Sequence, residues 1–242
     1  MNERKRWYEL PGMALNIEKT SIIGFGFTPD PVRINNIAIA PVTSFKFLGL
    51  TIDQSFSLDQ HVNSVSAKVR AAAAKIRADG ANFSTRDRRR LYMGWVQGTL
   101  CSNGAAYLPL LNKTQLDSLQ SASNYAIRSV VKLPRRSIDI SITDVRQKLN
   151  IMSIRTLANK AILTQAWKDR AFLRPTYEEG PSTRSRSNGN VPHPDQKGIL
   201  GKMIRTKALL AFNHLPITCK DEDSEGKAKR IIIEIAKKHP VI

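Results

Sequence analysis

Apolar positions follow two rhythms along this chain. Over residues 1–60 they come in short bursts bounded by Pro, Gly and Asn, and from His61 onward they recur every three or four residues. In the first part, Ser21-Ile22-Ile23-Gly24-Phe25 reads as a short strand. Arg33-Ile34 and Ile37-Ala38-Ile39 flank Asn35-Asn36, a pair that tolerates the positive φ of a tight hairpin turn. Phe45 to Asp53, FKFLGLTID, reads as one further strand, apolar on both faces, with Gly49 at its centre and a carboxylate at its end.

The helical rhythm starts with His61 to Ala78, where Val62, Val65, Val69, Ala72, Ala73 and Ile76 form one stripe. Ser84 and Asp87 have capping-box spacing and predict a second helix, with Leu91, Tyr92, Trp95 and Val96 on its buried side. A third helix is expected from near Thr114 through Leu116, Leu119, Ala126, Ile127 and Val130. A short fourth covers Asp144 to Leu149, and a fifth runs from Ser153 past Leu157, Ala161 and Trp167. Residues 174–198 are rich in Pro, Gly, Ser and Asn and read as a flexible linker. Amphipathic segments at Ile199 to Phe212 and Glu225 to Lys238 close the chain. The pattern predicts an α+β, mainly α protein: a small antiparallel β head (1–60), a helical bundle (61–173), the linker, and a helical tail (199–242).

Charge changes this picture. Among 242 residues, 38 Lys and Arg face 20 Asp and Glu, for a net charge of +18. Such an excess repels itself in a compact state unless a polyanion neutralises it, which points to nucleic acid. No apolar run approaches the length of a spanning helix, and MNERKRWYEL lacks a signal-peptide core, so the expected address is cytoplasmic or nuclear, not secreted. Cys101 and Cys219 fit free thiols better than a disulfide framework or zinc site.

Catalytic signals are sparse. Gly24-Phe25-Gly26 resembles the start of a phosphate loop but lacks the third Gly and the following helix. His61, His193, His214 and His239 are scattered, and Asp221-Glu222-Asp223 reads as a solvated turn before a helix. No metal site is expected.

Leu15-Asn16-Ile17-Glu18-Lys19-Thr20, a hairpin, Phe45 to Asp53 and then His61 together resemble the end of the palm of a non-LTR retrotransposon reverse transcriptase. Gly104 (with Asn103 where the family has Tyr), Leu116-Asp117-Ser118-Leu119-Gln120 with Asn124 to Arg128, and Phe212-Asn213-His214-Leu215-Pro216 continue the likeness, with Phe212 in place of a Trp. The resemblance implies that Lys19 matches a Lys near the incoming nucleotide's phosphates. It also implies that Phe47, Leu48, Gly49 and Leu50 belong to a primer grip, and that Asp53 is structural. The family's metal-binding carboxylates, an early Asp and an Asp-Asp pair, lie upstream of the Lys19 motif. Met1 to Ala14 contains no Asp, and no Asp-Asp pair occurs in the chain. The expectation is therefore a catalytically incomplete polymerase with no cofactor of its own, the Mg²⁺ of the parental enzyme being held elsewhere.

Backbone contacts to an RNA–DNA or RNA duplex are expected from Lys68, Arg70, Lys75 and Arg77 beside the apolar stripe. The same is expected of the cluster Arg86, Arg88, Arg89 and Arg90, and of Lys132, Arg135 and Arg136. Two rivals stand beside this reading. One is a retroelement-derived, non-enzymatic helical module that binds protein rather than nucleic acid, whereas the incomplete polymerase would look to a protein partner for the rest of its palm. The other is a decaying remnant whose strands have lost their sheet.

Overall fold

A computed structural model describes residues 16–34, 36–134, 140–170 and 204–238. The chain divides into two units, Met1–His61 and Val62–Ile242, and the architecture is the α+β, mainly α one that the pattern predicts. The expected linker lies outside the described residues.

The first unit holds two separate hairpins. β1 (Val32–Ile34) and β2 (Ile37–Ile39) pair antiparallel with Ile34 opposite Ile37, and Asn36 takes a φ of 64° in the turn. FKFLGLTID is not one strand, which corrects the sequence expectation. It forms β3 (Ser44–Phe47) and β4 (Leu50–Asp53), with Phe47 opposite Leu50 and Leu48-Gly49 as a two-residue turn. The φ values of 47° at Leu48 and 89° at Gly49 are those of a turn whose twist matches its flanking strands. Ser21 to Phe25 contributes only a parallel bridge from Ile22 to Pro41, because Pro41 has no N–H with which to extend a ladder. Ile39 and Leu58 are the unit's only buried large apolar side chains among the described residues, while Phe25, Phe27, Ile37, Phe47, Leu48 and Phe56 are exposed.

Helices dominate the rest. α1 (Asp59–Asp79) buries Val62, Val65, Val69, Ala73 and Ile76 of the predicted stripe and leaves Ala72 half-buried. α2 (Thr85–Leu91) starts at Ser84, whose hydroxyl accepts from the Asp87 N–H at 3.2 Å. It runs into a wider π-helical stretch, Tyr92–Gln97, and then α3 (Gly98–Cys101). The wider repeat leaves Tyr92 and Val96 buried but Leu91 and Trp95 only half-buried, a departure from the expected buried face. The Tyr92 hydroxyl shares a 2.8 Å hydrogen bond with Ser123, and burial pushes its pKa up.

After α4 (Gly104–Tyr107), α5 (Lys113–Val130) opens with a full capping box between Asn112 and Gln115. α6 (Ile142–Lys148) and α7 (Ile154–Lys168) follow, each capped by a serine, Ser141 and Ser153. α8 (Ile204–Asn213), α9 (Ile217–Lys220) and α10 (Glu225–Lys238) pack with α7 around Ile162, Leu163, Trp167, Phe212, Leu215 and Ile232. The expected separate tail is therefore part of this core, since its apolar faces are completed by those of α7.

Candidate nucleic-acid interface

The four basic residues of α1 are all exposed. Lys68 and Lys75, like Arg70 and Arg77, are seven residues apart, about 10.5 Å along the helix axis, so each pair keeps one side of the helix. The Lys75 ammonium lies 4.8 Å from the centre of the Trp95 ring, which steadies the side chain through the ring's quadrupole. The Arg77 guanidinium donates to the Leu133 carbonyl at 3.1 Å.

The cluster 86–90 is not a uniform basic face. Arg88 is 5% exposed and donates to the carbonyls of Val130 (2.5 Å), Gly80 (3.4 Å) and Phe83, and to the Thr85 hydroxyl (3.2 Å). Its guanidinium thus serves carbonyls just beyond α1 and at the end of α5, groups that helix ends leave without partners. That removes Arg88 from the expected nucleic-acid-binding set. A sequence signal was available: Arg88, Tyr92 and Val96 stand at i, i+4 and i+8, on the buried face. Gly80 belongs to the same construction, because a Cβ there would stand 2.4 Å from the Ile76 oxygen and 3.0 Å from Arg88 Cγ.

Arg89 is half-buried and donates to the carbonyls of Leu149 (2.5 Å) and Asn150 (3.4 Å). Arg90 is exposed and pairs with Asp87 at 3.0 Å, and Arg86 is exposed. The Ser84 hydroxyl and the Arg90 charge hold the Asp87 carboxyl below its usual range. Lys132 reaches the Ala81 carbonyl at 2.5 Å. Arg135 and Arg136 lie outside the described residues. The heads at Lys68, Arg70, Lys75 and Arg86 carry the surface charge, and those at Arg77, Arg89 and Lys132 also tie down backbone.

In the first unit, Lys19 is exposed at the end of a single 3₁₀ turn, Ile17–Lys19. Asn16 caps that turn by accepting the Lys19 N–H at 3.1 Å, and Thr20 donates to the Asn16 carbonyl at 2.8 Å. Phe47 and Leu48 stand out at the β3–β4 tip, Leu48 80% exposed. Asp53 is 8% exposed and accepts four hydrogen bonds: from the hydroxyls of Ser55 (2.5 Å) and Ser57 (3.0 Å) and the N–H groups of Ser57 and Leu58 (both 3.0 Å). Burial pushes its pKa up, but these bonds outweigh burial and hold the carboxyl below its ordinary value. The loop it closes contains Phe56 (φ 53°) and Leu58 (φ 63°), both costly for such side chains. His61 accepts the Thr51 N–H at 3.4 Å, a second tie to β4.

Sequence reasoning placed Gln120 in a motif but missed its structural role. Its side-chain oxygen accepts the Ile154 N–H at 2.9 Å at the start of α7, and its amide donates to Asn124 at 2.8 Å. Among the described residues, no three His, Cys, Asp or Glu side chains gather where they could hold a metal ion, and no helix is long and apolar enough to cross a membrane. Comparison with profiles of known families, with curated proteins and with solved structures finds no match.

Proposed function

We propose that this chain binds the sugar–phosphate backbone of an RNA–DNA or RNA duplex. In this reading it is a reverse-transcriptase-like protein of a non-LTR mobile element that does not polymerise by itself. The observation that carries the binding is the exposed set Lys68, Arg70, Lys75 and Arg77 on α1, one pair on each flank of a face locked into the core by five buried apolar residues. A rigid helix with cations at seven-residue spacing suits phosphate contacts, which bring affinity without sequence reading. The resemblance supports the lineage, with the Phe47-Leu48 tip as the primer-gripping element and Lys19 beside the nucleotide site of a complete enzyme. The chemistry of two-metal phosphoryl transfer calls for clustered carboxylates, and the sequence contains no Asp-Asp pair.

The test is fluorescence anisotropy with an RNA–DNA duplex across a KCl series, beside primer extension on an RNA template with Mg²⁺. Tight binding at low salt that falls steeply as salt rises, with no extension, is the expected result. Undetectable binding at low salt overturns the first part, and extension overturns the second.

The first unit favours an additional protein partner. Two-stranded hairpins are marginal by themselves, and among the described residues six large apolar side chains are exposed against two buried ones. We propose that a surface supplying further palm strands covers them. Co-expression with a complete palm should then raise the yield and protect residues 16–61 from proteolysis; unchanged digestion would count against it.

A further inference from the structure

α6 ends, α7 begins and α10 ends around one polar cleft of about 500 Å³. Its lining carries two cations, Arg146 and Lys237, two amides, Gln147 and Asn150, and two hydroxyls, Ser153 and Thr156, with no carboxylate. We propose that this cleft binds a phosphoryl group.

Each wall is held by backbone chemistry rather than by the cations themselves. Asn150 takes a left-handed φ of 50°. Its N–H donates to the Gln147 carbonyl at 2.9 Å while Ile151 N–H donates to Arg146 at 3.0 Å, the paired bonds of a Schellman ending. This fixes the turn that carries Arg146 and Gln147. On the second wall, Ser153 caps α7: it accepts the Thr156 N–H at 3.1 Å, and the two hydroxyls lie 2.8 Å apart. Gln120 secures the same end through Ile154. The third wall is fixed by Asn159, whose amide donates to the Ala236 carbonyl at 3.4 Å, one residue before Lys237.

The electrostatics select an anion. Arg146 is half-buried and Lys237 exposed, and neither has a carboxylate partner among the described residues. The 15-residue helix α7 adds the positive end of its dipole. The donor set narrows the anion further: a guanidinium fork, a point charge, the one hydroxyl that the Ser153–Thr156 bond leaves free to donate and two amides surround a space far larger than a carboxylate needs. A tetrahedral group with several acceptor oxygens uses those donors best. None of the α1 cations takes part, so this site stands apart from the duplex-binding reading.

The test is isothermal titration of the full chain at constant ionic strength with three probes: pyrophosphate, the dinucleotide TpT, and its 5′-phosphorylated form. Saturable one-site binding of at least one probe is expected, weakened about tenfold by Arg146→Gln and by Lys237→Gln, with Arg146→Lys intermediate and the exposed Lys113→Gln without effect. Preference for the 5′-phosphorylated dinucleotide assigns a terminal phosphate, equal binding of TpT assigns a diester, and pyrophosphate alone assigns a free anion. Circular dichroism confirms folding. Lys237 lies exposed near a helix end, so Lys237→Gln carries the test should Arg146→Gln fail to fold. No saturable binding by any probe, or binding that both Gln variants leave within twofold, overturns the proposal. Loss of duplex binding with pyrophosphate binding intact would overturn only the duplex reading.

Discussion

Asp53 in the first unit and Arg88 in the second do the same job with opposite charge. Asp53 accepts four hydrogen bonds from the loop before α1, and Arg88 gives four, three of them to backbone carbonyls near helix ends. Their surroundings differ. Arg88 sits in a unit with an extensive apolar core, so its clasp is one part of a cooperative whole. Asp53 sits where, among the described residues of its unit, only Ile39 and Leu58 are buried large apolar side chains, so there the clasp stands almost in place of a core. Where apolar burial is scarce, polar geometry has to define the fold, and the loss of one side chain stays local.

The largest effect expected from breaking this contrast is at Arg88. Arg88→Met should destabilise the second unit globally by about 3 kcal/mol or more, because buried carbonyls lose a charged donor. Urea unfolding by circular dichroism reads this, and Arg88→Lys should not restore it, since an ammonium lacks the planar fork. A loss under about 1 kcal/mol would show the carbonyls to be satisfied otherwise. Asp53→Ala should cost about 2 kcal/mol, seen as faster amide exchange over residues 54–58 with the helical transition unchanged.

The same clasp predicts a pH dependence. The folded pKa of Asp53 lies below its unfolded value, so its contribution is fully present above the unfolded pKa of about 3.9 and is lost as pH falls through the folded pKa. Exchange protection at Ser57 and Leu58 should fall in that acid window in the native chain and show no such step in Asp53→Asn. Smaller still, Leu48→Asn should stabilise the β3–β4 hairpin by about 1 kcal/mol, because Asn tolerates the left-handed φ that a Leu pays for in steric strain. Unchanged hairpin protection would argue against that turn geometry.

The sequence made the helices legible because their apolar stripes are long. α1 was predicted as 61–78 and runs Asp59–Asp79, and Glu225–Lys238 was anticipated to the residue. The β3–β4 hairpin was hidden because Leu48 is a poor turn residue, so FKFLGLTID read as an unbroken strand. Arg88 was obscured by its neighbours in a run of arginines, where composition speaks of surface and only the i, i+4, i+8 spacing speaks of burial. Several residues that carry the reverse-transcriptase resemblance (Asn16, Asp53, His61, Gln120 and Phe212) have structural duties here as caps, clasps or core. The motifs therefore record architecture more than chemistry. The cleft at Arg146 escaped notice because it joins Arg146 to Lys237, side chains about 90 residues apart in sequence.

Duplex binding through α1 is tested most directly by the salt dependence of RNA–DNA affinity in the native chain and in the Lys68→Gln, Arg70→Gln, Lys75→Gln variant, which keeps the Arg77 bond to Leu133. Each phosphate contact on a duplex contributes about 0.9 to the slope of log K against log salt. The variant's slope should be shallower by about 2 to 3, with its unfolding free energy within about 0.5 kcal/mol of the native chain's. Equal slopes in two equally stable proteins would contradict a duplex seated on α1.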